Sequence, residues 1–100
     1  MAIENIRAEV LIKGRVQGVG FRAFALSKAR ELGVVGWIAN LGTSEVKAVA
    51  EGSTQPIEDF LHLLHQGPTS ARVETVEVSF ENSATGEFES FDIAPTVSAP

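Results

Sequence analysis

The sequence predicts an α+β fold with the element order β-α-β-β-α-β and one added strand. Three observations carry this prediction. Apolar residues alternate at a period of two in several short runs. In two longer runs they recur at helical spacing. Glycines and prolines stand at the joints between these runs. With 100 residues the chain is expected to form one domain over 1–100, its ordered core spanning about 6–93 and its end fraying over 94–100.

Residues 1–5 show no pattern and read as a loose start. From 6 to 13 the chain alternates, with Ala8, Val10 and Ile12 on one face and Leu11 on the other. A glycine-rich loop follows. Phe21 to Leu32 then reads as a helix, because Phe21, Ala25, Ala29 and Leu32 share one face and Gly33 terminates it. The β-branched and aromatic run from Val34 to Asn40 is a second strand, with Trp37 a core or sheet-face aromatic. Glu45 to Glu51 is a third strand, joined to the second by a short hairpin connection.

Pro56 suits the start of a second helix, where a missing N–H costs little. Ile57, Phe60, Leu61 and Leu64 give that helix its apolar stripe, and Gly67-Pro68 ends it. A fourth strand covers about 71–81, but its parity breaks: Val73 falls on one face and Val76, Val78 and Phe80 on the other. A bulge near Glu74-Thr75 reconciles them. Asn82 to Gly86 is a polar turn, and Glu87 to Ile93 a fifth strand with Phe91 and Ile93 inward. This order is the split β-α-β pattern of a ferredoxin-like sandwich, an antiparallel sheet with two helices on one face. The ends of the first and second strands then share one sheet edge, which brings the glycine-rich loop and Asn40 together.

Composition narrows the function. There is no cysteine, hence no disulfide framework, thiolate nucleophile or sulfur-ligated metal. No apolar run resembles a signal peptide or a membrane span, which points to the cytoplasm. The net charge of −5 argues against a general nucleic-acid binder. Charge is unevenly placed, however. Positions 7–30 hold six of the eight basic residues against Glu9 alone, a local +5 on an acidic chain. That balance suits a small anionic ligand better than a polyanion.

The loop Gly14-Arg15-Val16-Gln17-Gly18-Val19-Gly20-Phe21-Arg22 is where such a ligand fits. Glycines there admit positive φ and leave room for a close approach. Successive backbone N–H groups in such a loop can turn inward as an anion nest. The following helix adds unpaired N–H groups and the positive end of its dipole. Arg22, in the first helical turn, has a planar fork that matches phosphate oxygens. The same spacing also serves a plain tight connection. A Walker A loop is excluded because no Lys-Ser or Lys-Thr follows the glycines. The Gly-x-Gly-x-x-Ala pattern of dinucleotide sites is present, but the acid expected about 20 residues later is not.

Asn40 offers two donors and an acceptor beside the loop, or it simply opens the hairpin turn. His62 and His65 stand i, i+3 on the second helix, off its apolar stripe and without a third ligand, as on a solvated face. Glu74/Glu77 and Glu87/Glu89 read as solubilising charges, and Ser44 and Ser53 lack a local base.

Residues 14–22 resemble the first signature of the acylphosphatase family without a gap. The run Leu32-Gly33-Val34-Val35-Gly36-Trp37-Ile38-Ala39-Asn40 is similar to its second region, and Gly67 to Val73 to the segment entering its fourth strand. The resemblance covers about positions 6–93. It implies an enzyme that hydrolyses the carboxyl–phosphate anhydride of acyl phosphates, with no metal, no cofactor and no covalent intermediate. It further implies that Arg22 binds the substrate phosphate, Asn40 positions the attacking water, and the backbone of 16–20 completes the cradle. One departure stands out: Thr43-Ser44 replaces the family's usual Asp-Gly, and serine adopts φ > 0 reluctantly. The expected partner is a small-molecule acyl phosphate, with no nucleic acid and no membrane, bound by a monomer. The rival expectation is a non-catalytic acyl- or carbamoyl-phosphate sensor on the same fold. An RNA-binding domain would need exposed aromatics on the first and third strands, and 8–13 and 46–50 contain none.

Overall fold

The computed structural model describes residues 5–98. In chain order the elements are β1 (Asn5–Arg15), α1 (Phe21–Leu32), β2 (Val35–Leu41), β3 (Glu45–Ser53), α2 (Thr54–Gln66), β4 (Arg72–Glu81) and β5 (Phe91–Ile93). They form one five-stranded sheet in the order β4-β1-β3-β2-β5. β3 pairs antiparallel with both β1 and β2, so β1 and β2 run parallel with β3 between them. β5 adds to β2 in parallel, which makes the sheet mixed.

Alternation fixes which face of the sheet is covered. Ala8, Val10 and Ile12 of β1 and Val46, Ala48 and Ala50 of β3 are buried against the helices. Phe21, Ala25 and Ala29 of α1 and Ile57, Phe60, Leu61 and Leu64 of α2 complete this core. Phe91 joins it from β5, edge-on to Phe60 at 5.4 Å between ring centroids. Trp37 lies half-buried on the other sheet face, as its neighbour Ile38 is fully buried in the core.

The parity break in the fourth strand has the expected cause. Lys13 is opposite Thr75 and Gly14 opposite Val73, so Glu74 is the extra residue of a bulge. Val73, Val76 and Val78 thereby all pack against the core. Phe80 does not: on the edge strand β4 it is 55% exposed.

Three further expectations are corrected. Asn5 belongs to β1 rather than to a loose start; residues 1–4 lie outside the described ones. The fifth strand is only Phe91–Ile93, and of its two apolar residues Phe91 is buried while Ile93 is 42% exposed. Residues 82–90 are instead an irregular strap held by Glu51 at the end of β3. The Glu51 carboxylate accepts from Thr85 N–H (3.0 Å), Thr85 Oγ1–H (2.8 Å), Gly86 N–H (3.0 Å) and the Arg7 guanidinium (2.9 Å). Finally, the stretch after β5 is tied rather than frayed as far as Val97. Ala94 N–H donates to Ile38 O and Val97 N–H to Asn40 O, while Gly42 N–H donates to Val97 O. Residues 99 and 100 lie outside the described ones.

Candidate active site

The loop from β1 to α1 is shaped by two glycines in the left-handed region, Gly18 at φ +70° and Gly20 at φ +78°. A Cβ at either would meet nothing within 4 Å. Backbone conformation and the open space above the loop, rather than crowding by neighbours, therefore account for glycine there. Gly20 caps α1 without a side-chain hydrogen bond, and no acidic residue stands in the first turn. The first N–H groups of α1 are left for an incoming anion.

These features converge on a cavity of about 260 Å³. Val16, Gly18, Gly20 and Arg22 line it from the loop and the first helical turn, with Phe21, Ala23 and Ile93 completing the wall. Arg22 is half-buried and makes no ion pair among the described residues, so its guanidinium is uncommitted within the protein. Val16 is anchored in the core at 1% exposure, which fixes the loop from below.

Gln17 and Val19 do not line the cavity. Val19 packs against the core. Gln17 sends its side-chain amide across the sheet end, where Nε2 donates to Glu45 O at 2.9 Å and to Gly42 O at 3.3 Å. It thus ties the loop to the β2–β3 turn. Sequence reasoning read only the backbone of Gln17; the signal available was an amide side chain among glycines.

Asn40 lies on the helix side of β2, opposite Val46 in the register with β3. It is not among the residues lining the 260 Å³ cavity. Its Oδ1 is buried and has no hydrogen-bond partner in the protein. An acceptor left in that state is costly unless a bound group or water satisfies it. The turn that follows resolves the Thr43-Ser44 departure. Leu41 pairs with Glu45, the left-handed residue is Gly42 at φ +60°, and no non-glycine residue in the described chain has positive φ. The strain expected at Ser44 is avoided because the special conformation has moved two residues back.

The other candidates stay apart. His62 and His65 are exposed on α2, and the His65 Nδ1–H donates to Leu61 O at 2.8 Å. Glu87 pairs with Arg7 at 3.3 Å, at the end of the sheet away from the loop. Among the described residues no cluster of three His, Cys, Asp or Glu could hold a metal ion. No helix among them is long and apolar enough to cross a membrane.

Comparison with known proteins agrees with this geometry. The acylphosphatase family model matches residues 8–93. An acylphosphatase of Thermus thermophilus is 55% identical over 78 residues, covering 78% of this chain and 89% of the relative. One from Roseiflexus is 48% identical over 91 residues, covering 91% of this chain and 97% of the relative. The crystal structure of the Bacillus subtilis acylphosphatase superposes with a TM-score of 0.85 at 29% identity, covering 89% of this chain and 98% of the other.

Proposed function

The chain belongs to the acylphosphatase family, and on that premise we propose how its loop, Arg22 and Asn40 divide the work of acyl phosphate hydrolysis. The activity is cleavage of the carboxyl–phosphate anhydride to a carboxylate and inorganic phosphate. The cavity at the start of α1 carries this reading, since two left-handed glycines, free helix N–H groups and an unpaired guanidinium converge there.

In this reading the phosphoryl oxygens sit on the loop and helix N–H groups and on the Arg22 fork, which hold the charge spread over them as the bond to the leaving group breaks. Water attacks phosphorus, oriented by the otherwise unsatisfied Oδ1 of Asn40. The P–O bond to the acyl group breaks and the electron pair leaves with the carboxylate. The proton of the water goes to a phosphoryl oxygen, giving dihydrogen phosphate from a dianionic substrate. A carboxylate is a good leaving group, so no general acid is required. Three further readings belong to the same proposal: no metal takes part, one domain acts over the whole chain as a monomer, and it works in the cytoplasm.

The test is hydrolysis of benzoyl phosphate by the purified protein in the presence of a chelator. Turnover is expected to survive chelation. Asn40→Ala should lower it by roughly 10²–10³, the scale for one preorganised polar group, while inhibition by inorganic phosphate is retained. Near-normal turnover in Asn40→Ala would remove that residue from the chemistry. Phosphate binding without turnover in the natural chain would favour the sensor module instead.

A further inference from the structure

We propose that Ile93 is the acyl-side wall of the site and gives the protein a preference for acyl phosphates with an apolar acyl group. The inference rests on the acylphosphatase reading of the loop. Of the apolar residues lining the cavity, Phe21 and Val16 are each 1% exposed and belong to the core. Ala23 is exposed but small. Ile93 is the large one with surface to offer, 42% exposed. The glycines, helix N–H groups and Arg22 are matched to phosphate oxygens. None of them needs a branched hydrocarbon beside it, and a phosphate gains nothing from one. The part of the substrate that does is the acyl group.

Position is fixed as well as chemistry. Ile93 is opposite Ile38 in the parallel β2–β5 pairing, two residues beyond Phe91, which is buried in the core. Phe91 and Ile93 therefore share the helix side of the sheet. The backbone beyond is held by the bond from Ala94 N–H to Ile38 O at 2.9 Å. The same β2 strand carries Asn40 two residues further on, where Val97 N–H donates to Asn40 O at 2.8 Å. The apolar wall and the residue proposed to orient water are thus set by one pair of strands. A side chain held this way costs the ligand little ordering entropy to use.

The experiment compares benzoyl phosphate with acetyl phosphate in the natural protein, Ile93→Ala and Ile93→Lys. It also measures inhibition by inorganic phosphate and by benzoylphosphonate, a non-hydrolysable ligand with the same acyl group. In Ile93→Ala the benzoyl-over-acetyl ratio of kcat/KM is expected to fall roughly five- to tenfold, the scale for a few carbons lost from an apolar contact. Inhibition by benzoylphosphonate should weaken by a similar factor, and inhibition by phosphate much less. Ile93→Lys should shift preference toward succinyl phosphate, whose acyl group carries a carboxylate. An unchanged ratio in both variants, or equal losses for phosphate and benzoylphosphonate, would overturn the role of Ile93 while leaving the enzyme reading intact. Failure of the natural protein to hydrolyse either acyl phosphate would overturn both.

Discussion

A guanidinium holds a phosphate through two parallel N–H···O bonds, and each charge-assisted bond counts for more than a neutral one. Arg22 reaches the cavity from the first turn of α1 with no ion pair among the described residues to break first. On the proposed reading, Arg22→Ala should therefore raise the inhibition constant of inorganic phosphate by roughly 10- to 100-fold and lower turnover as well. Competitive inhibition assays measure this directly; an unchanged constant would count against Arg22 as the phosphate ligand. Arg22 could be singled out in the sequence because an arginine in the first turn of a helix, after a glycine loop, can turn its fork back over that loop, although the spacing alone also suits a plain connection. Asn40 was legible as a candidate because topology brings the ends of β1 and β2 together. The link from Gln17 to Gly42 and Glu45 was not, because a side chain reaching 25 and 28 residues along the chain leaves no local pattern.

At the level of elements, the middle of the strap over residues 82–90 is tied to one buried carboxylate, with Ala84 N–H donating to Asn5 O and Gly36 N–H to Ser90 O on either side. Glu51 is 2% exposed. Burial pushes its carboxyl up, but hydrogen bonds from Thr85 N–H, Arg7, Thr85 Oγ1–H and Gly86 N–H outweigh this, and the group titrates below its ordinary value. A carboxyl depressed in the folded state stabilises fully above its unfolded value, about 4.3, and that contribution is lost as pH falls through the folded value. Glu51→Gln removes the charge and is expected to cost about 2–3 kcal/mol at pH 7, given that Arg7 keeps some contact with solvent. Urea unfolding should show the gap between natural protein and variant narrowing below about pH 4. A constant gap across the acid range would remove the charge of Glu51 from the account. Helices, strands and even the bulge at Glu74 were readable, since each follows from a period of 3.6 or 2 or from a break in it. Within the strap, residues 82–86 read as a polar turn and only 87–90 as the start of the fifth strand, on the expectation that Phe91 and Ile93 face inward. Phe88 lies under Arg7 instead, 5.8 Å from ring centroid to guanidinium carbon, and the hold comes from a residue 34 positions away.

Across the whole molecule, pairing decides which of the basic residues act on a ligand. Composition alone placed a local +5 in positions 7–30. In the structure Arg7 is engaged by Glu51 and Glu87, Lys28 lies 3.8 Å from Glu31, and Arg30 lies 4.0 Å from Asp92. Lys13, Arg15 and Arg22 have no such partner among the described residues, and Arg15 pairs with Arg72 across β1 and β4, like charge facing like. All four stand at the end of the sheet that carries the loop, against Glu45 opposite Lys13 and Glu74 at the bulge, so basic side chains outnumber acidic ones there although the protein is acidic overall. The field of such an excess raises the local concentration of an anionic substrate and weakens with salt. Raising ionic strength from about 0.01 M to about 0.15 M shortens the screening length from about 30 Å to about 8 Å. Over that range kcat/KM for an acyl phosphate dianion should fall roughly two- to fivefold, with kcat nearly constant. The double substitution Arg15→Gln/Arg72→Gln separates steering from contact, since neither residue lines the cavity. It should lower kcat/KM at low salt and flatten its dependence on ionic strength. A salt slope unchanged by that substitution would assign the whole effect to Arg22 and the loop, and the surplus of arginine at this end would have no part in substrate capture.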